Sequence, residues 1–196
     1  MKTQQKKGMS TEKLVTSALM TALVILFQLL ATYTAFFGPF STAIGLIPIA
    51  IGAILCGPAI GAWLGLIFAA IVFATGGANL FLAFDVPGTI ITVLSKGILC
   101  GLIAGFVYKA VFKLNATIAA VAAAIICPIV NTSVFLLGCV IFFMDDAVGI
   151  AEMLGSAETG VALFIALALG NFLFELGLNM VLSPVVVKLL NIRKKG

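Results

Sequence analysis

A long apolar segment of the chain runs from Ile118 to Met144 without a charged residue. About 20 residues of helix cross the hydrocarbon core of a bilayer, so this segment is long enough to span a membrane. Over the whole chain, 63% of the residues are hydrophobic, 9% are charged, and the mean hydropathy is +1.29. A soluble domain carries about 25% charged residues. The apolar segments are continuous rather than alternating, which excludes a β-barrel and predicts an all-α polytopic membrane protein.

Glycine, proline and charged residues divide the chain into six apolar segments. We predict a single membrane domain over residues 1–196, with six transmembrane helices at about 14–33, 41–56, 59–74, 88–110, 116–144 and 159–182. The segments 75–87 and 145–158 are predicted to be loops, and Ser183-Pro184 is predicted to end the sixth helix. A basic start followed by about 20 apolar residues indicates a retained first helix, because the apolar region of a signal peptide is shorter.

The charged residues are segregated between the two ends of these predicted helices. With six spans, ten of the eleven Lys and Arg residues lie on the side of the two termini, and five of the seven acidic residues lie on the other side. Basic residues concentrate on the cytoplasmic side of membrane proteins, so we predict that both termini are cytoplasmic. Because the basic residues flank membrane segments, they argue against a nucleic-acid partner and for contact with the lipid bilayer.

Seven residues within the last three predicted helices form a candidate substrate-binding site. Lipid cannot satisfy hydrogen-bonding groups, and charges inside a membrane most often mark a substrate or ion pathway. Residues three or four positions apart share one face of a helix, and these faces reach overlapping depths, about 12 to 20 Å below the outer helix ends. The candidate site consists of Thr92, Lys96, Asn131, Thr132, Phe135, Asn171 and Glu175.

A structural role is the alternative for these groups. Asparagine and glutamate side chains can bond across helices, and a Lys96–Glu175 pair could be a neutral link between two helices. In this alternative, Pro128 bends its helix and has no part in a binding site.

Small residues at four-residue spacing form a second pattern, which lets helix backbones approach closely. We expect the glycines of this pattern to pack within the chain, whereas its alanines could pack within the chain or against a partner. The glycines are Gly61, Gly65, Gly97, Gly101 and Gly105, and the alanines are Ala18 and Ala22.

Motifs for catalysis and for metal binding are missing from the sequence. It contains no GxxxxGK[ST] phosphate-binding loop, no HExxH, no GxSxG and no histidine. The four cysteines lie within apolar segments without a CxxC spacing, and they are expected to be buried apolar residues. We predict that the chain is not an enzyme, that it binds no ATP through a P-loop of its own, and that it holds no metal or other cofactor.

Four stretches of the chain resemble a known family when they are taken in their order and spacing. They are Ser17 to Leu23, Leu46 to Ala62, Lys96 to Gly105 and Pro128 to Thr132. The chain resembles the substrate-binding S components of energy-coupling factor (ECF) vitamin transporters, over nearly its whole length. The Pro-Ile-Val-Asn-Thr stretch and the Lys-Gly pair of the fourth helix are most similar to the pantothenate-type subgroup.

The resemblance implies a multi-pass protein of a prokaryotic plasma membrane, with six helices and cytoplasmic termini. It implies a vitamin pocket that is open to the outside and capped by the loop Thr34 to Phe40. It also implies that the face carrying Ala18 and Ala22 docks on a membrane coupling protein, and that two ATPase subunits come from a partner module. A buried Lys96 suits a carboxylate such as that of pantothenate. Glu175 could neutralise this lysine, which leaves a neutral or cationic ligand open.

Two other functions remain open from the residues alone. The chain could be a stand-alone ion-coupled transporter, with Lys96 and Glu175 as a relay, or a membrane assembly subunit that transports nothing. Uptake by proteoliposomes without an ATPase partner would favour the first of these functions. A purified protein that shows no thermal shift with any of a panel of vitamins would favour the second.

Overall fold

The described part of the chain is entirely helical. The structure, a computed structural model, describes residues 10–33 and 45–193, and the side chains of residues 33, 170, 171, 174 and 181–193 lie outside this description. These residues form eight α-helices and no strand, which confirms the predicted all-α fold for them. The helices are α1 (Thr11–Tyr33), α2 (Leu46–Cys56), α3 (Pro58–Ala74), α4 (Asn79–Leu82), α5 (Val86–Phe112), α6 (Ala116–Phe142), α7 (Ala147–Leu154) and α8 (Gly160–Arg193).

Several of the helices are long and apolar enough for a membrane. Within the described residues, three helical segments combine the required length and hydropathy, namely Thr11–Thr32, Val86–Phe112 and Ala116–Phe142. Three shorter apolar helices are Leu46–Cys56, Pro58–Ala74 and Gly160–Leu169. The chain is therefore a helical membrane protein by length and composition.

The structure differs from the sequence prediction at three segments. The two longer predicted loops contain the short helices α4 and α7, which have too few turns to give a periodic signal. The last helix, α8, does not end at the predicted Ser183-Pro184 but continues to Arg193. Proline is tolerated inside membrane helices when neighbouring groups satisfy the backbone carbonyl that it frees. Pro128 likewise lies inside α6 without ending it.

The two ends of the bundle carry opposite charges. We call the end with Lys13, Lys109 and Lys113 the basic end, and the end with Asp85 and Asp145 the acidic end. At the basic end the thiol of Cys56 lies 3.9 Å from the main-chain oxygen of Lys13, so α2 finishes where α1 begins. At the acidic end the carboxylate of Asp85 caps α5 by accepting a hydrogen bond of 3.1 Å from the amide of Gly88.

The short helix α2 is the centre of the bundle. Nearly all of its residues are buried, and it packs against α1, α3, α5, α6 and α8. A helix that is apolar on every side is expected to be surrounded by protein or lipid, and here the neighbours are protein. With 11 residues it is about 16 Å long. Its first turn lies beside Cys127, whose thiol is 3.9 Å from the main-chain oxygen of Leu46. Helix α2 therefore occupies the half of the bundle nearer the basic end.

Glycines bring the backbones of α3 and α5 into direct contact. A methyl group at Gly65 would overlap the main-chain oxygen of Gly97, and a methyl group at Gly97 would overlap that of Gly65. The same reciprocal contact joins Gly61 and Gly101 one turn along, and Gly105 lies against Pro58. The predicted packing of these glycines within the chain is therefore observed. The contact fixes the rotation of α5, and thereby the direction of its neighbouring side chains.

We expect Gly65→Ala to lower the melting temperature of the detergent-solubilised protein, because the added methyl group pushes α3 away from α5. Overpacking of this kind typically costs about 1–3 kcal/mol. The matched control is Gly177→Ala on α8, where the added methyl group meets no atom within 4 Å. The control should leave the melting temperature unchanged or slightly raised. Equal melting temperatures for the two variants would contradict the close contact of α3 and α5.

Candidate functional site

Lys96 lies ten residues into α5, away from both ends of that helix. It directly follows Ser95 and precedes Gly97, which packs against α3. Because successive residues of a helix are about 100° apart, the Lys96 side chain leaves α5 in a different direction from the contact with α3. Its ammonium nitrogen lies 5.1 Å from the centroid of the Phe135 ring on α6, which is a cation–π contact.

Aromatic rings cover this site towards the acidic end. Phe81 from α4 meets Phe135 edge-on, with ring centroids 5.6 Å apart, and meets Phe143 at 4.9 Å. The rings of Phe81 and Phe143 are buried in a cluster that also holds Ile150 of α7 and Phe164 of α8. The two short helices thus close the bundle beside Lys96.

Glu175 brings a carboxylate from α8 to the same region. Its side chain is buried, with 4% of its surface exposed, and its negative charge attracts the ammonium of Lys96. Its field also reaches Cys127 on α6. Asn179, one turn further along α8, donates a hydrogen bond of 2.9 Å to the main-chain oxygen of Glu175. The two charged residues that the sequence places within the predicted membrane helices both have their charged groups buried in the structure.

Two predicted site residues carry buried polar atoms without a partner among the described residues. They are the hydroxyl oxygen of Thr92 and the side-chain oxygen of Asn131. Only 4% of Thr92 and 5% of Asn131 is exposed. A buried polar group left unsatisfied costs about 1–3 kcal/mol, so native proteins seldom keep one without a purpose. A bound ligand or water would satisfy both atoms.

The structure places Thr132 apart from this group. Thr132 is half-buried and lines an open groove of about 190 Å³ between α6 and α8, together with Ser133 and six apolar residues. Asn131 and Thr132 are consecutive residues of α6, so their side chains point about 100° apart. The side chain of Asn171 and the predicted lid, Thr34 to Phe40, lie outside the described residues.

Sequence reasoning missed two features of this region. Phe81 lies in a segment predicted to be a loop, and only the tertiary fold brings it onto Phe135. Gln28 of α1 is fully buried, and its side-chain oxygen lies close to Gly45 and hence to the start of α2. A single glutamine in a long apolar helix was a usable signal, because lipid cannot satisfy its amide.

The predicted docking face of α1 is exposed. Ala18 and Ala22 both lie on the surface, on the side of α1 that faces away from α2 and α3. The nearby hydroxyl groups of Ser17 and Thr21 donate hydrogen bonds of 2.7 and 2.9 Å to main-chain oxygens of the preceding turn. These two hydroxyl groups are therefore satisfied within α1.

Within the described residues, no group of three His, Cys, Asp or Glu residues could hold a metal ion. All four cysteines are buried and free. The polar groups of the candidate site are thus a lysine, a carboxylate, an amide and a hydroxyl group, and such groups bind an organic molecule by charge and hydrogen bonds.

A bundle of apolar helices around buried polar groups is typical of a membrane protein with a substrate or ion path. The family described as "ECF transporter, substrate-specific component" matches residues 12–190, and the chain belongs to this family. ECF substrate-specific components are not enzymes; they bind small vitamin substrates and work with a membrane T component and ATPases.

The fold is similar to that of a solved structure, ThiT from Listeria monocytogenes. The TM-score is 0.57 at 18% sequence identity, and the match covers 88% of this chain and 97% of that chain. At this identity the similarity supports the fold alone. No curated protein sequence matches the chain.

The unsatisfied hydroxyl group of Thr92 leads to a stability prediction. Thr92→Val keeps the shape of the side chain and removes a polar atom that has no partner, so the melting temperature of the ligand-free protein should stay the same or rise. Thr89→Val is the matched control one turn away, because the buried Thr89 hydroxyl donates to the main-chain oxygen of Asp85. Loss of that hydrogen bond should cost about 1 kcal/mol and lower the melting temperature. Equal losses in both variants would show that Thr92 is satisfied without ligand.

Proposed function

We propose that this chain captures an anionic vitamin of the pantothenate type from outside the cell, for delivery through a partner coupling protein and two ATPases. The observation that carries the proposal is the position of Lys96. Its ammonium lies within the helix bundle, beside the ring of Phe135 and in the field of Glu175. A lysine in a membrane costs about 3 kcal/mol or more, and such residues commonly face a substrate path.

The chemistry of the remaining groups suits a ligand with a carboxylate, hydroxyl groups and an amide. Lys96 can donate a charge-assisted hydrogen bond to the carboxylate. Thr92 and Asn131 can pair with hydroxyl or amide groups through their unsatisfied oxygens. We include Thr132 and Asn171 among the proposed ligand contacts from the sequence pattern, with Phe135 as an apolar wall and Glu175 as the opposing charge.

We further propose that the chain crosses a prokaryotic plasma membrane six times, through α1, α2, α3, α5, α6 and α8, with both termini in the cytoplasm. The separation of charges supports this orientation, because Lys13, Lys109 and Lys113 lie at one end of the bundle and Asp85 and Asp145 at the other. The aromatic cover over Lys96 then faces the outside, as an extracellular substrate requires. The residues Thr34 to Phe40 are proposed to complete this cover.

The exposed face of α1 is the proposed docking surface for the membrane coupling protein. Ala18 and Ala22 present small side chains there, and small residues allow two helices to approach closely within a membrane. Since the neighbouring hydroxyl groups of Ser17 and Thr21 are satisfied within α1, such a face can separate from a partner without leaving a polar group unsatisfied. Reversible docking therefore suits this surface.

The ligand proposal predicts that Lys96→Met weakens pantothenate binding by well over tenfold, because the carboxylate loses its cation. Isothermal titration calorimetry of the purified protein measures the dissociation constant. The matched control is Lys109→Met, which changes an exposed lysine at the basic end and should bind like the wild type. An unchanged dissociation constant for Lys96→Met would remove Lys96 from the site.

The docking proposal predicts that Ala18→Leu abolishes vitamin uptake but leaves vitamin binding intact. The larger side chain holds the partner helix away, whereas the site between α5, α6 and α8 is not touched. Uptake is measured in proteoliposomes with the complete transporter, and binding is measured on the isolated subunit. Ala166→Leu, at an exposed position of α8, is the control and should retain both activities. Equal loss of binding and uptake in Ala18→Leu would contradict the docking role.

A further inference from the structure

Phe81 is a buried aromatic residue in the connection between α3 and α5, and the proposed ligand contacts do not include it. Only 6% of its surface is exposed. Its ring meets the ring of Phe135 edge-on, with the ring planes 86° apart and the centroids 5.6 Å apart. Edge-to-face pairs at such a distance are a preferred arrangement of aromatic rings. Phe81 is therefore in direct contact with the residue whose ring lies against the ammonium of Lys96.

Main-chain hydrogen bonds hold the segment around Phe81 on both sides. On the side of α3, the amide of Asn79 donates to the main-chain oxygen of Gly76 at 3.0 Å, where a left-handed glycine with φ 76° turns the chain. On the side of α5, the main-chain oxygen of Phe81 accepts hydrogen bonds from the amides of Phe84 and Asp85, at 3.1 and 3.0 Å. Asp85 is the N-cap of α5. The ring of Phe81 consequently has a fixed position relative to the start of α5.

The ring of Phe135 comes from α6 and contacts two residues of the segment that runs from α4 into α5. One contact is with the ring of Phe81, and the other is with the ammonium of Lys96, which lies 5.1 Å from the ring centroid. A lysine ammonium stands on a long and flexible stem, so it can take many positions unless a contact restricts it. A ring that is held by Phe81 offers the ammonium one defined face.

We propose that Phe81 is a positioning residue of the ligand site, which holds the ring of Phe135 against the ammonium of Lys96 and thereby favours a carboxylate over an uncharged group in the ligand. The inference rests on the proposed function, because it takes the ligand to be an anion that pairs with Lys96. An ammonium that already has a fixed position loses less freedom when a carboxylate binds, so the charged ligand binds more tightly. An uncharged ligand forms no ion pair and gains little from the fixed ammonium.

Calorimetry with two ligands tests the effect on binding. Pantothenate carries a carboxylate, and pantothenol is the same molecule with a primary alcohol in its place. We expect Phe81→Leu to raise the dissociation constant of pantothenate about threefold to thirtyfold, which is the range that a cation–π contact supplies. The dissociation constant of pantothenol should stay nearly unchanged. In the Phe135→Leu background, Phe81→Leu should weaken pantothenate binding no further, because it acts through that ring.

The matched control is Phe164→Leu. Phe164 is fully buried in the same cluster as Phe81, and within the described residues its ring has no contact with the ring of Phe135. The control should lower the melting temperature and leave the dissociation constant of pantothenate unchanged. Phe81→Met serves as a second variant if Phe81→Leu does not fold. Equal weakening of pantothenate binding by Phe81→Leu and Phe164→Leu, or no weakening by Phe81→Leu, would overturn the inference.

A second measurement needs no ligand. Fluorophenylalanine incorporated in place of Phe135 gives one fluorine resonance, whose frequency depends on the surroundings of that ring. Lys96→Met should shift this resonance in the otherwise wild-type protein, because the ammonium is removed from the ring face. The same substitution should shift it much less in the Phe81→Leu background, where the ring is no longer held against Lys96. An equal shift in both backgrounds would show that the ring meets the ammonium without Phe81, and the inference would be wrong.

The two measurements separate this inference from the proposed ligand. If pantothenate does not bind to the wild type at all, the ligand proposal is wrong, and the fluorine resonances alone decide whether Phe81 positions the ring of Phe135. If pantothenate binds to the wild type and to Phe81→Leu equally well, the ligand proposal stands and the positioning inference fails.

Discussion

The cost of keeping an ammonium group inside an apolar bundle is the constraint on which the other features of this protein depend. The ring of Phe135 on α6 and the carboxylate of Glu175 on α8 each offset part of that cost at Lys96. Both partners act only because α5 is held at a fixed rotation. The contact of Gly97 with Gly65 fixes that rotation, since no side chain stands between the two backbones. Packing on one face of α5 thus positions the charge on another.

The short central helix has a complementary role. Because α2 is about 16 Å long and begins beside Cys127, it fills the bundle near the basic end and stops short of the other half. Thr92 and Lys96 of α5 and Asn131 of α6 lie in that other half. There Thr92 and Asn131 keep oxygen atoms unsatisfied by any described residue, although apolar side chains would fit a stable bundle better. These unsatisfied oxygen atoms lower the free energy of unfolding, and a ligand that bonds to them would raise it again.

Much of this arrangement could be predicted from the sequence, because charges and glycines are rare events in apolar segments. The glycine spacing indicates the close contact of α3 and α5 that the structure has, and the two charges Lys96 and Glu175 mark the predicted site. The central position of α2 could not be predicted, since hydropathy does not distinguish a neighbour that is lipid from one that is protein. The contact of Phe81 with Phe135 depends on α4, and a helix of four residues is too short to give a periodic signal in the sequence. The continuation of α8 past Pro184 depends on tertiary surroundings that a local rule for proline ignores.

The molecule that copurifies with the protein tests most directly the proposal that an anionic vitamin binds at Lys96. Mass spectrometry of small molecules released from the gently purified wild-type protein, with the Lys96→Met variant prepared in parallel, identifies that occupant. We expect a vitamin with a carboxylate, pantothenate in the first place, to be released from the wild type and to be lost from the variant. Release of a cationic or uncharged compound from both proteins in equal amounts would contradict the account.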